Sequence, residues 1–421
     1  MRSADHRLPT EVPLRPISAR PVRHPSARLA VAAAVLAPLA LTACTADSSG
    51  AASDDKAGGA KAGGKPAAVT VTPAGQTARA GEPIRVTARG GTLTSVAVTD
   101  GKGKSVGGTL SEGNTVWTSE RRAAPGATYR VTAGTTTEGG TKGTEQASFS
   151  TAKAERTNTV DWWPGTRGTD GTVGVAQPIS LAFDHPVTNK AEVEKQLKVV
   201  TSNDTEGSWG WVKEWNSGRD RIDWRPKEYW KPGTKVTLKA PLSGIDSGNG
   251  RWFVRDYDNS FTVGARQEIK VDLDSYKLTL ERDGKTVRTI PISGGDPNGD
   301  TRTWKGIMPV MVKEGTVNMR SETVGLGDAY DKMVKYSARL TWSGLFVHAA
   351  PWNARYFGNE NASSGCIGMS TENASTFYAQ IRQGDPVTVT GKDTKGIPDQ
   401  GNGFSNWNVS YEEWKKRSAL S

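Results

Sequence analysis

The chain has 421 residues, 23% of them charged, with a mean hydropathy of −0.54 and a formal net charge of +10. That length calls for about two to four folded units, and the composition excludes a multi-span membrane protein. After the Arg-rich first 28 residues there is no long Lys/Arg run of the kind that binds nucleic acid, so no nucleic-acid partner is expected. The excess positive charge suits a surface near an anionic wall or membrane.

Residues 15–28 are rich in Arg, residues 29–41 (LAVAAAVLAPLAL) are apolar, and small residues follow. This is the three-part layout of a secretory signal, with an apolar run shorter than the ~20 residues a spanning helix needs. The run ends Leu41-Thr42-Ala43-Cys44, which resembles the bacterial lipoprotein box, in which the Cys is lipidated and becomes the first mature residue. Residues 1–43 are therefore expected to be a lipoprotein signal peptide. The protein is expected to be exported and anchored through Cys44 to the outer face of the plasma membrane, facing the cell wall. Residues 44–67, rich in Gly, Ala, Ser, Lys and Asp, have no apolar period and read as a flexible tether.

The fold class expected is mainly β. Over 68–152, short alternating segments at 69–72, 84–88, 94–99, 128–133 and 147–151 are separated by Gly-rich turns, the pattern of a small immunoglobulin-like β-sandwich. It holds no cluster of catalytic residue types and reads as a spacer. Over 153–265 the pattern continues with Trp162, Trp163, Trp209, Trp211, Trp215, Trp224, Trp230 and Trp252. These fit a second sandwich's core and docking surface better than a glycan-binding face. His185, before Pro186, reads as a loop histidine.

A third unit is expected over 266–391. Strands are predicted at 267–273, 276–282, 286–295, 305–312 and 343–350, and a helix at about 371–381, capped by Ser370 or Thr371 and followed by Gly384. In GGDPNGD, Asp296, Asn298 and Asp300 alternate like the start of a calcium loop, but the terminal Glu is missing. With only four histidines and no ligand-spacing motif, neither metal nor cofactor is expected.

Cys44 and Cys366 are the only cysteines, which rules out a disulfide framework. Cys366 lies eighteen positions after His348, far enough for a loop to return the chain beside the strand that ends at the histidine. An imidazole can deprotonate a thiol near neutral pH. Backbone N–H groups of Ser364, Gly365 and Cys366, just before the predicted helix, could converge on an oxyanion, and the helix N-terminus would favour a thiolate. The alternative is a buried inert Cys and an unrelated core His. It is weakened because Cys366 would be the sole free thiol of the processed chain, with only His185 and His348 as bases.

The segments VHAAPW (347–352) and SSGCIGM (363–369) resemble the L,D-transpeptidase catalytic domain, also called YkuD. The order of lipobox, tether, two immunoglobulin-like modules, catalytic domain and a C-terminal aromatic segment (392–421) resembles the mycobacterial type. The resemblance implies that Cys366 is the nucleophile and His348 the general base and acid, with the Ala349 carbonyl orienting the imidazole. It further implies that Tyr330 is a lid tyrosine and that Ser343 and Gly344 line the substrate groove. The implied reaction attacks the carbonyl of the third residue of a peptidoglycan tetrapeptide stem, releases D-Ala and passes the thioester to an amine. Carbapenem-type β-lactams are the implied inhibitors. Two positions depart from the family pattern: Ser364 replaces a His, and Gly368 an Asn or Arg. Both would lose a side-chain contact to substrate. The competing readings are a catalytically dead wall-binding lipoprotein and a thiol-dependent L,D-carboxypeptidase. In the last segment, the spacing of Trp407, Tyr411 and Trp414 predicts one helical face, packed on the catalytic domain at its junction with the second sandwich.

Overall fold

Alternating burial builds the first sandwich. The computed structural model describes residues 65–163, 171–298, 300–325, 327–328 and 330–421; the expected signal peptide, Cys44 and nearly all of the expected tether lie outside the described residues. One sheet joins Ala68–Thr72, Pro83–Arg89, Val116–Arg122 and Gly108–Leu110, and the facing sheet joins Thr92–Asp100, Thr128–Thr136 and Lys142–Ser150. Along Pro83–Arg89, Ile84, Val86 and Ala88 point inward, the period-two pattern of a half-buried strand. They meet Trp117, Val131 and Phe149 in the core. The Val116–Arg122 strand is absent from the sequence prediction because one inward position is polar. Ser119 is buried, accepts from the Ile84 N–H at 2.8 Å and donates to the Arg121 carbonyl at 2.5 Å.

The second sandwich faces Gly207–Lys213, Asp220–Pro226, Ile179–Phe183 and Val160–Trp163 against Thr172–Val173, Tyr257–Val263, Lys235–Ala240 and Lys198–Thr201. Its tryptophans are mostly core. Trp209, Trp211, Trp224 and Trp230 are buried, and Trp224 stacks on Trp230 at 5.1 Å. Trp230 donates its indole N–H to the Gln177 carbonyl at 2.7 Å, and Trp211 donates to Glu194 at 2.8 Å, as buried indoles require. Trp215 is exposed. His185 sits in a turn whose backbone is held by Asn158.

Every residue of Asp220–Pro226 is buried, which a sheet with one free face would not allow. Residues that follow the third unit cover that strand's outer face. Arg221 pairs with Asp223 at 2.9 Å and donates to the carbonyls of Gln400 and Gly403. Trp414 is fully buried and donates to the Ser208 carbonyl at 3.0 Å. Trp407, Tyr411 and Trp414 surround the Arg225 guanidinium at 4.8, 5.7 and 5.9 Å from their ring centres. They do not form the single helix their spacing predicts. Trp407 lies in a 3-10 turn, Ser405–Asn408, Val409 is extended, and Ser410 caps a separate short helix, Tyr411–Lys415. Asn408 bonds both backbone groups of Ile307 in the third unit. The segment thus spans the junction, with its aromatic rings on the second sandwich.

The third unit has two sheets. The first orders Lys285–Pro291, Lys277–Arg282, Gln267–Asp272, Val387–Thr390 and Gly306–Ile307, and the second orders Val312–Arg320, Asp331–Arg339, Phe346–Ala349 and Ile367–Met369. The predicted strand over 305–312 is split: Gly306–Ile307 joins the first sheet, Val312 opens the second, and 308–311 cross between them. Met308 and Val310 donate to Val387 and Asp385 beside the first sheet, and Met311 donates to Arg339 in the second. The helix Thr371–Gln380 packs Ala374 and Phe377 inward, and its N-cap Ser370 accepts from the Asn373 N–H at 3.2 Å.

The second sandwich and third unit meet backbone to backbone. Gly174 and Ala176 donate to the carbonyls of Gln383 and Gly384 at 2.7 and 2.9 Å. Gly384 has φ +86°, and a Cβ there would lie 2.5 Å from that of Gln177, so only glycine fits.

Candidate active site

Two short parallel strands place the thiol and the imidazole. Phe346–Ala349 pairs with Ile367–Met369 so that His348 lies opposite Gly368. Side chains alternate along a strand, so Cys366, two residues before Gly368, projects on the face that carries His348. This register brings Cys366 and His348 into one pocket with Tyr330, Trp352, Ser363 and Ser364. The pocket has a volume of about 250 Å³. A larger cleft, about 580 Å³, lies between the two sandwiches, but no Cys or His lines it. The smaller pocket is therefore the candidate site. His185 lies outside it.

His348 is only 6% exposed. Its ring Nδ1 lies 2.8 Å from the Ala349 carbonyl. A carbonyl can only accept, so Nδ1 carries the proton and Nε2 is the basic nitrogen. Burial pulls the imidazole down to about 4, against a small opposing effect of the Ala349 bond. Trp352, from the 3-10 turn Pro351–Tyr356, stacks beside it with ring centres 6.1 Å apart.

Burial pushes the Cys366 thiol up to about 11, while the Phe346 N–H and the positive charge of Arg339 pull the other way. The S–H points to the Gly344 carbonyl at 3.4 Å. The resting pair is thus a neutral thiol beside a neutral imidazole.

The helix N-terminus does not act on Cys366. The strand Ile367–Met369 intervenes, and the first turn of the helix is capped by its own Ser370. A macrodipole falls off within one turn, so it contributes neither to the thiolate nor to an oxyanion.

The nucleophile loop is tied down from several sides. Ser363 donates to the Cys366 carbonyl at 2.5 Å, and its Oγ accepts from the Gly365 N–H at 3.2 Å. Thr303, buried, donates to the Gly365 carbonyl at 2.8 Å and accepts from the Gly295 N–H at 2.8 Å. Gly365 has φ +114°, which a side chain would strain. Because Ser363 takes the Gly365 N–H, the N–H groups of Ser364 and Cys366 are the two left without a partner among the described residues. Ser364 is exposed at the pocket mouth.

The remaining sequence-predicted residues fall in different places. Tyr330 lines the pocket, and Ser321 holds it by bonds to both its N–H and its carbonyl. Burial, with Cys366 nearby, keeps its phenol protonated. Ser343 and Gly344 form the turn into the His348 strand, with Ser343 bonded to Asn402 through backbone and side chain. Gly344 meets the site only through its carbonyl on the thiol. Gly368 is buried, and both its backbone groups bond Ser293. A Cβ there would lie 2.8 Å from that of Ala350, so this position presents no side chain to the pocket. Asp296 turns inward on its own loop and accepts from Asn298. Sequence reasoning missed Lys332, Thr303, Ser363 and Arg339. The strand Val312–Arg320 has no buried residue, and its partner Asp331–Arg339 opens with three exposed ones, Lys332 among them, so the hairpin that supplies Lys332 left no apolar signal.

Residues 266–389 match the L,D-transpeptidase catalytic domain family (YkuD), and residues 75–246 match the bacterial Ig domain family. L,D-transpeptidase 5 of Mycobacterium tuberculosis is 32% identical over 340 residues, covering 80% of this chain and 73% of that protein. L,D-transpeptidase 2 of the same species is 30% identical over 342 residues, covering 80% and 81%. A solved structure of LD transpeptidase LdtMt1 in complex with imipenem is 30% identical, covers 56% of this chain and 99% of its own, and superposes with a TM-score of 0.46. With relatives matched across the Ig-like modules as well as the catalytic unit, the chain belongs to the L,D-transpeptidase family and is an acyltransferase.

Proposed function

We propose that the chain cross-links peptidoglycan through the third residue of a donor tetrapeptide stem, by way of a thioester on Cys366. The observation that carries this reading is the placement of Cys366 and His348 on one face of two paired strands, with Nδ1 of the imidazole tied to Ala349. In the first half-reaction His348 Nε2 takes the thiol proton as sulfur adds to the scissile carbonyl. The N–H groups of Ser364 and Cys366 are the donors available to the developing oxyanion. The C–N bond then breaks, the proton passes to the leaving amine, and D-Ala departs. In the second, an acceptor amine adds to the thioester, gives a proton to Nε2, and the C–S bond breaks as sulfur recovers that proton. With both groups neutral at rest, base and nucleophile act in one step. A carbapenem enters the same chemistry as a strained acyl donor and should leave an adduct on Cys366.

The sequence order supports an exported lipoprotein, lipidated on Cys44, with residues 44–67 and two Ig-like modules holding the site at wall height. Mass spectrometry of products from disaccharide-tetrapeptide stems tests the reaction. D-Ala and a dimer joined through the donor's third residue are expected, and both should vanish in Cys366→Ala. D-Ala with tripeptide and no dimer, across several acceptors, would overturn the transpeptidase reading in favour of a carboxypeptidase.

A further inference from the structure

Among the described residues, no Asp or Glu lines the candidate pocket, and its two reacting groups rest neutral. Among those described lining residues one side chain bears a formal charge, Lys332. It comes from the hairpin Val312–Arg320/Asp331–Arg339, not from the strands that carry the thiol and imidazole. Lys332 pairs in register with Met319, and both line the pocket, as does Val334 two residues further along the same strand. The strand's alternation therefore turns Lys332 toward the site.

The ammonium is also held in place. Its Nζ lies 4.7 Å from the ring centre of Trp352, the ring that stacks beside His348. A cation–π contact orients an ammonium without neutralising it, so the charge remains available to an incoming anion. Across the hairpin, Asp331 pairs with Arg320 and Glu322 also pairs with Arg320. Both of these acids are thus engaged with Arg320.

The proposed donor brings such an anion to this place. In a stem ending in D-Ala, a free carboxylate sits on the carbon bonded to the scissile nitrogen. Whatever pocket holds the scissile carbonyl must receive that carboxylate too. We propose that Lys332 binds the terminal carboxylate of the donor's leaving residue, so that the pocket selects stems in which a free carboxylate lies one residue beyond the scissile carbonyl. The assignment rests on the transpeptidase reading. It makes Lys332 a specificity residue; the bond-breaking groups are unchanged. A donor extended by one residue moves the carboxylate away from the ammonium and is expected to react poorly.

The test compares three tetrapeptide donors with the purified full-length protein: the free acid, its C-terminal amide, and a stem amidated at an interior carboxyl. Release of the leaving residue is followed for each. The free acid and the interior amide should react alike, and the C-terminal amide about tenfold more slowly in kcat/KM. Lys332→Met should slow the free acid to the rate of the C-terminal amide and leave the amide's rate within about twofold. Lys332→Arg should restore most of the preference. Added salt should narrow it in the wild type, since the pair is partly solvated. A full preference retained in Lys332→Met, or one that follows the interior carboxyl, would overturn the assignment. Turnover of no donor by wild-type protein would instead refute the transpeptidase reading beneath it.

Discussion

His348 gives its Nδ1 proton to the carbonyl of its own chain neighbour, Ala349, at 2.8 Å. A backbone carbonyl carries no full charge, so it fixes the ring and its tautomer without holding an imidazolium as a carboxylate would. Burial then dominates, and the ring stays neutral down to about pH 4.

The base and its pH profile can be measured together. His348→Ala should slow carbapenem acylation by about 10²–10⁴-fold, with His185→Ala near wild type. In the free enzyme the rate should be flat from about pH 6 to about pH 9, falling on the acid side only as His348 protonates near 4. Burial holds the thiol at about 11, so no thiolate forms within that range. A rate that climbs through neutrality would instead indicate a thiolate titrating in that range.

Thr303 is expected to position the nucleophile loop. Thr303→Val removes one bond to Gly295 and one to Gly365, leaving buried groups unpaired at about 1–3 kcal/mol each. Denaturant unfolding should register the loss. Acylation should slow by about tenfold, with carbapenem affinity before reaction little changed.

Trp414→Ala should destabilise the second sandwich by about 3–5 kcal/mol, because a fully buried indole leaves a cavity. The expected sign is a lower denaturant midpoint; an unchanged midpoint would mean that the segment only rests on the sheet.

Asp385 should make stability fall as pH rises. It is buried at the junction, accepts from Gln267 Nε2 at 2.6 Å and from the Arg382 N–H at 2.7 Å, and burial raises its carboxyl to about 7. The unfolded chain releases that proton near 4. The stabilisation is therefore full below about pH 4 and is lost as pH climbs toward 7. Asp385→Asn should flatten this part of the unfolding profile measured between those limits.

Cys44→Ala should release the protein from the membrane fraction and leave the activity of the soluble part intact. Unchanged partitioning would remove the lipid anchor and point to an uncleaved segment or to wall binding.

Strands with clean alternation were legible, as in Pro83–Arg89 and Gln267–Asp272, and so was the Ser370-capped helix. Segments governed by tertiary contacts were not. Ser119 hides an inward position behind a hydroxyl, and the Lys332 hairpin begins and ends without a regular buried face. Likewise Asp220–Pro226 looks polar but is buried, because Arg221 and Arg225 find partners far along the chain. The thiol, the imidazole and Tyr330, which spacing and resemblance singled out, line one pocket. The loop's supports could not be read, since Thr303 reaches Gly365 across 62 positions with an ordinary hydroxyl.

The covered outer face of Asp220–Pro226 sets an order of events during synthesis. Arg221 bonds the Gly403 carbonyl 182 positions later, so the outer face of this strand, though encoded before the catalytic unit, is covered only once the residues after that unit have emerged. Until then its strand carries two uncovered guanidinium groups beside open indole rings. A chain stopped within the catalytic unit would leave this face of the sheet uncovered, for quality-control proteases to recognise.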